Sequence, residues 1–166
     1  MERLKAVEPY LEGEEMFLAN YGDGLSNVAL PEMVETFRQS SAVASLMVVQ
    51  PTASFDIVNM GDDGLVKDVR GLTQTDVWIN GGFFVMRNEI FKHIRPGEEL
   101  VREPFQRLIE SGSLLAYKCP DFWQCMDTFK DKQHLEELNQ GLAPWKVWDR
   151  SANPGANGHK LKVTAL

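Results

Sequence analysis

The chain is poor in cysteine, histidine and net positive charge, and it has no long hydrophobic run. Its two cysteines, Cys119 and Cys125, are too few for a disulfide framework in a domain of this size, and neither has a CxxC partner. The three histidines, His93, His134 and His159, are scattered, so the spacing argues against zinc. Two reduced thiols in a reducing cytoplasm are the simple reading. Acidic residues outnumber basic ones, giving a net charge of −7. Such a chain repels phosphate backbones, which argues against general nucleic-acid binding. A small phosphorylated ligand stays open, because a metal ion can supply positive charge locally. No apolar run approaches the roughly 18 residues that a membrane span needs. Residues 1–8 are charged and contain no apolar signal core.

What is present fits one soluble domain. The 166 residues are 43% hydrophobic and 25% charged. Residues 16–19 form a short apolar run ending at Gly22-Asp23-Gly24, which predicts a strand and a glycine-flanked loop. Pro31 opens a helix with Met33, Val34 and Phe37 on one face. Residues 43–49 are small and β-branched and read as a buried strand. Residues 55–60 and 65–69 flank Gly61-Asp62-Asp63-Gly64, a hairpin signal. The most apolar stretch, residues 77–86, is interrupted by Asn80-Gly81-Gly82, and glycines inside a strand mark a bulge or a close approach to a ligand. Pro104 starts a helix with Phe105, Leu108 and Ile109 inward, and residues 114–117 read as another strand. Thr128 and Asp131 have capping-box spacing for a helix over residues 129–139. Residues 151–166 have no periodicity and are expected to be a disordered tail after a domain of residues 1–150. Alternating strands and helices with a hairpin predict an α/β domain with a mixed sheet.

Three segments have the residue types of a site. Tyr21-Gly22-Asp23-Gly24 puts a carboxylate at a strand end between glycines. Trp78-Ile79-Asn80-Gly81-Gly82-Phe83-Phe84 puts an amide and two glycines inside an apolar strand. Phe122-Trp123-Gln124-Cys125-Met126-Asp127-Thr128 leads an aromatic pair to a carboxylate at a helix start. Each also has a plain structural reading. Asp23 can be a turn residue, Asp127 can be a cap (though Thr128 fits that position better), and the aromatics can be core.

Together the order YGDG, WINGGFFV, FWQCMDTFKDK and APW, spread over residues 3–148, resembles the glucose-1-phosphate cytidylyltransferase family of sugar-phosphate nucleotidyltransferases. The resemblance implies a Rossmann-like mixed sheet between helical layers. It implies transfer of a cytidylyl group from CTP to a sugar 1-phosphate in nucleotide-sugar biosynthesis, with release of pyrophosphate. It also implies that the aspartates of the YGDG and MDT motifs, Asp23 and Asp127, hold the catalytic Mg²⁺. Mg²⁺ prefers oxygen ligands and is commonly held by one or two carboxylates plus substrate phosphates. Asn80 and Gly81 are carried over as residues against the sugar.

Two departures stand out. The family opens with a GxGTR-type phosphate loop, which has no counterpart here, so the nucleotide-binding portion is expected to be missing. Of a TGGR-type segment that follows it, only Arg3 and Lys5 remain, and Arg3 is carried over as a substrate-binding residue. The family's Glu-Lys-Pro motif, whose lysine grips the sugar phosphate, is replaced by Val69-Arg70-Gly71-Leu72. Arg70 is the nearest cation, but a planar guanidinium and an ammonium are not equivalent. With neighbouring strands missing, at least one of the strands at residues 43–49 and 77–85 is expected to lie at an open edge or to be unusually exposed, and the chain is expected to aggregate or to form homo-oligomers. The isolated chain is expected not to make a nucleotide sugar. The competing reading is a non-catalytic domain that binds only a sugar phosphate or a partner subunit.

Overall fold

The computed structural model describes residues 2–52 and 55–148, so the expected tail at residues 151–166 lies outside the described residues. The chain begins with helix α1 (Glu2–Val7) and a 3₁₀ turn (Glu8–Leu11), then strands β1 (Met16–Asn20) and β2 (Gly24–Ser26). Helix α2 (Leu30–Arg38) leads to β3 (Ala44–Val49), β4 (Asp56–Met60), β5 (Val66–Gly71) and β6 (Ile79–Arg87). After a 3₁₀ turn (Asn88–His93) come α3 (Glu103–Glu110), β7 (Leu114–Cys119), β8 (Trp123–Cys125) and α4 (Phe129–Gln140).

The main sheet has the order β1-β6-β3-β7. β6 runs antiparallel to both β1 and β3, and β7 runs parallel to β3, so the sheet is mixed as expected. The expectation that one of the two apolar strands lies at an open edge or is unusually exposed is corrected here, since β3 and β6 are mostly buried. β3 and β6 are both interior, and β1 and β7 occupy the edges among the described residues. Each face of the sheet also has its own cover. On one face Met33 and Phe37 of α2 pack with Met47, Val49, Val85 and Tyr117. On the other, Phe105 and Leu108 of α3 join Ile90 and Phe91 against Ala44, Phe84 and Met86.

Local chemistry accounts for the helices. Pro31 and Pro104 each sit in a first turn, where the missing N–H costs nothing. Met33 and Phe37 fall on one face at i, i+4 and are fully buried. Ile109 departs from the sequence reading and is 57% exposed. Each residue turns the helix by about 100°, so Phe105 and Leu108 define the inward face and Ile109 falls past its rim. Thr128 caps α4 with the full reciprocal pattern: Asp131 N–H donates to Thr128 Oγ1 at 3.2 Å, and Thr128 N–H donates to Asp131 Oδ2 at 2.9 Å. The Thr128 contacts hold the Asp131 carboxyl below its ordinary range. No helix among the described residues is long and apolar enough to cross a membrane.

Candidate functional site

The site is built where β1 ends, at the bulge in β6. Between Leu46 and Val48 of β3 there is one residue, while the matching stretch of β6, from Phe84 back to Asn80, has three. The extra residues are accommodated by the glycine pair. Gly82 has φ +76, a left-handed geometry that suits glycine, and a Cβ there would lie 2.6 Å from Tyr21 Cδ2. A Cβ on Gly81 would run into the Met47 side chain and lie 3.3 Å from the Met47 carbonyl oxygen. Gly82 is therefore set by its backbone geometry and by Tyr21, and Gly81 leaves room for the buried Met47 side chain. The bulge is fixed by Asn80, whose Oδ1 accepts the Gly82 N–H at 2.9 Å.

Two short strands that the sequence reading missed assemble the rest. β2 and β8 form a two-stranded antiparallel ribbon with Gly24 opposite Cys125 and Ser26 opposite Trp123. Ser26 Oγ donates to the Phe122 carbonyl at 2.9 Å, and Phe122 N–H donates to Asn27 Oδ1 at 3.0 Å, closing the far end of the ribbon. At its near end Met126 N–H donates to the Asp23 carbonyl at 2.9 Å. That bond sets the YGDG turn beside the residue preceding Asp127. Trp123 Nε1 donates to the Gly81 carbonyl at 2.8 Å, and Tyr21 N–H donates to the Gly82 carbonyl at 2.9 Å. All three motif segments are thus tied together through the β6 bulge. The Tyr21 ring also meets Phe84 edge to face at 5.4 Å.

Asp23 and Asp127 are both exposed. Cys125 Sγ donates to Asp127 Oδ2 at 3.2 Å. Burial, and then the Asp127 carboxylate, push the Cys125 thiol up to about 11, so it is a neutral donor near pH 7. Asn80 and Gly81 line the bulge next to this ribbon. Arg3 stands exposed on α1 and makes no hydrogen bond or ion pair among the described residues, so nothing joins it to the aspartates. Arg70 is paired with Asp68 at 2.6 Å on the β4–β5 hairpin. Among the described residues, no group of three or more His, Cys, Asp or Glu side chains could hold a metal ion, so a metal here has two carboxylates at most from the protein. A surface concavity of about 560 Å³ along α3 shares no residue with these motifs.

No family model matches the chain. A glucose-1-phosphate cytidylyltransferase of Salmonella typhi is 34% identical over 150 residues, covering 89% of this chain and 58% of the relative. The Salmonella typhimurium protein of the same name matches to the same extent. A Bacillus subtilis relative is 32% identical over 149 residues. The chain matches a C-terminal part of glucose-1-phosphate cytidylyltransferase. It spans 58% of the length of these curated relatives. A structure described as a glucose-1-phosphate thymidylyltransferase from Bacillus anthracis, solved with sucrose, superposes with a TM-score of 0.60. It covers 82% of this chain and 59% of that chain at 14% identity, and this shows the shared nucleotidyltransferase fold.

Proposed function

We propose that this chain provides the magnesium-binding part of a site that transfers a cytidylyl group from CTP to a sugar 1-phosphate. An oxygen of the sugar phosphate attacks the α-phosphorus. The bond from that phosphorus to the β-phosphate oxygen breaks, and pyrophosphate leaves with the electron pair. The reaction needs no protein nucleophile. The observation that carries this reading is the backbone bond from Met126 to Asp23, which joins the segments of Asp23 and Asp127 at one end of the β2–β8 ribbon.

The donor set suits Mg²⁺, a hard cation that takes carboxylate oxygens and keeps open positions for phosphates and water. Asp23 and Asp127 would hold it, and both are exposed enough to admit a phosphorylated ligand. When bound, the ion offsets the charge of the approaching phosphates. Asn80 keeps its oxygen on Gly82, which leaves its amide N–H₂ to donate to a sugar hydroxyl. The two unpaired cysteines favour the cytoplasm. The exposed apolar residues of the β4–β5 hairpin favour a homo-oligomer.

Metal titration tests the reading. Mn²⁺, a paramagnetic stand-in for Mg²⁺, is expected to bind the wild-type chain and to bind Asp23→Asn and Asp127→Asn about tenfold more weakly, the loss of one charged ligand. Undiminished affinity in both variants would remove the metal site.

A further inference from the structure

The two aspartates of the site are held differently. Among the described residues the Asp127 carboxylate has one hydrogen-bond partner, the Cys125 thiol, which donates to Oδ2 at 3.2 Å. The Asp23 side chain has none there, and only its backbone carbonyl is engaged, by the Met126 N–H. Cys125 is fixed by the ribbon, where it stands opposite Gly24, the residue after Asp23. Asp127 is followed by Thr128, whose capping box anchors the start of α4. The link from Cys125 to Thr128 is therefore held at both ends, and the thiol reaches the carboxylate past one intervening residue, Met126.

A contact between a thiol and an exposed carboxylate commonly has little consequence. Sulfur is a weak donor and water competes for the exposed Asp127, so the bond adds little to stability. Asp127 is not occupied elsewhere. Thr128 and Asp131 complete the cap between themselves. Asp127 makes no ion pair among the described residues. What the thiol changes is the carboxylate as a ligand. With Oδ2 accepting the S–H, Oδ1 is the oxygen left without a protein partner among the described residues.

One open oxygen and two open oxygens suit different cations. Mg²⁺ demands near-octahedral geometry at about 2.0–2.1 Å and takes one or two carboxylates beside waters and phosphates. Ca²⁺ is larger, takes about 6–8 oxygens at about 2.3–2.6 Å, and accepts a carboxylate through one oxygen or through both. A two-oxygen grip on Asp127 would draw on the oxygen that carries the thiol and would bring the cation toward the thiol proton. Either the S–H bond breaks or Oδ2 is shared. Both outcomes weaken a mode of binding that Ca²⁺ uses and Mg²⁺ does not need. The protein offers a metal two carboxylates at most among the described residues, so one oxygen is a large share of its ligands.

We propose that Cys125 is a positioning residue for the metal: it holds Asp127 Oδ2, presents Oδ1 alone, and so lowers the affinity for Ca²⁺ relative to Mg²⁺. This rests on the metal reading above. The test is Mn²⁺ binding to the full chain by electron paramagnetic resonance, with Mg²⁺ and Ca²⁺ as competitors. Cys125→Ala removes the donor. Cys125→Val removes it too and suits a strand. Both are expected to shift the ratio of Ca²⁺ to Mg²⁺ affinity about fivefold toward Ca²⁺, the weight of one hydrogen bond. Cys125→Ser, which keeps a donor, is expected to hold the wild-type ratio. A purely structural role for Cys125 would weaken both ions together, so a wild-type ratio in the two donor-free variants overturns the proposal. A shift of the same size in Cys125→Ser overturns it as well. Either result leaves the Asp23 and Asp127 reading intact. Mn²⁺ binding undiminished in both Asp23→Asn and Asp127→Asn sinks that reading and this inference with it.

Discussion

In β3 five of the six residues are buried, whereas all five residues of β4 are exposed. Both strands are built from the same kind of residue. Val48 and Val49 of β3 and Val58 of β4 have the same intrinsic preference for extended backbone. Their surroundings differ. β3 is paired on both sides and covered on both faces. β4 is paired only with β5, and Ile57, Val58, Met60, Val66 and Val69 of this hairpin remain exposed. Burying one such side chain contributes about 1.5–3 kcal/mol, and an isolated two-stranded hairpin is marginal in water. The same local signal therefore forms the core in one place and an apolar surface in the other.

The contrast is sharpest at Phe84, 2% exposed and in ring contact with both Tyr21 and Phe105. Phe84→Ala is expected to cost about 3–5 kcal/mol in denaturant unfolding. Val69→Ala on the hairpin is expected to stay within about 0.5 kcal/mol. Similar losses at the two sites would mean that the hairpin is packed against something and would break the comparison. Gly82→Ala comes next. It forces a Cβ into a left-handed position against Tyr21, at a cost of about 1–3 kcal/mol. It also moves the bulge that ties the two aspartate segments together, so Mn²⁺ affinity should fall along with stability.

A smaller effect is expected at the start of α4, where Thr128→Ala removes the cap at a cost of about 1 kcal/mol. The smallest concerns pH. Arg107 holds the Glu98 carboxyl below its ordinary range, chiefly through a direct hydrogen bond. A carboxylate with a depressed folded pKa contributes stability above its unfolded value, about 4.5, and loses it as pH falls through the lower folded value. Melting temperatures measured down from pH 5 should fall less steeply in Glu98→Gln than in the wild type. Equal slopes would show that this pair contributes nothing measurable.

Much of the fold could be read along the chain. The apolar runs at β1, β3 and β6, the glycine-bounded hairpin, the prolines opening α2 and α3 and the Thr128–Asp131 cap are local patterns, and each forms where those patterns point. The placement of β3 and β6 could not be read that way. Apolar composition marks a strand as needing cover, but the identity of the neighbours depends on pairings between distant segments. Ile109 shows the same limit at finer scale, since the sequence gives a helical face and only packing sets its width.

For the candidate site, the residue types are legible along the chain: two aspartates, one of them between glycines, an asparagine in a strand and an aromatic pair. Their arrangement came from tertiary structure. β2 and β8 are three residues each, too short to show a period, and they exist because each completes the other's backbone hydrogen bonds. The glycines of β6 look like room for a ligand in the sequence. In the fold Gly81 gives room to Met47 and Gly82 to Tyr21. Side-chain chemistry is a property of single residues, whereas proximity between segments a hundred residues apart is set by which strands pair, and that is decided by the whole core at once.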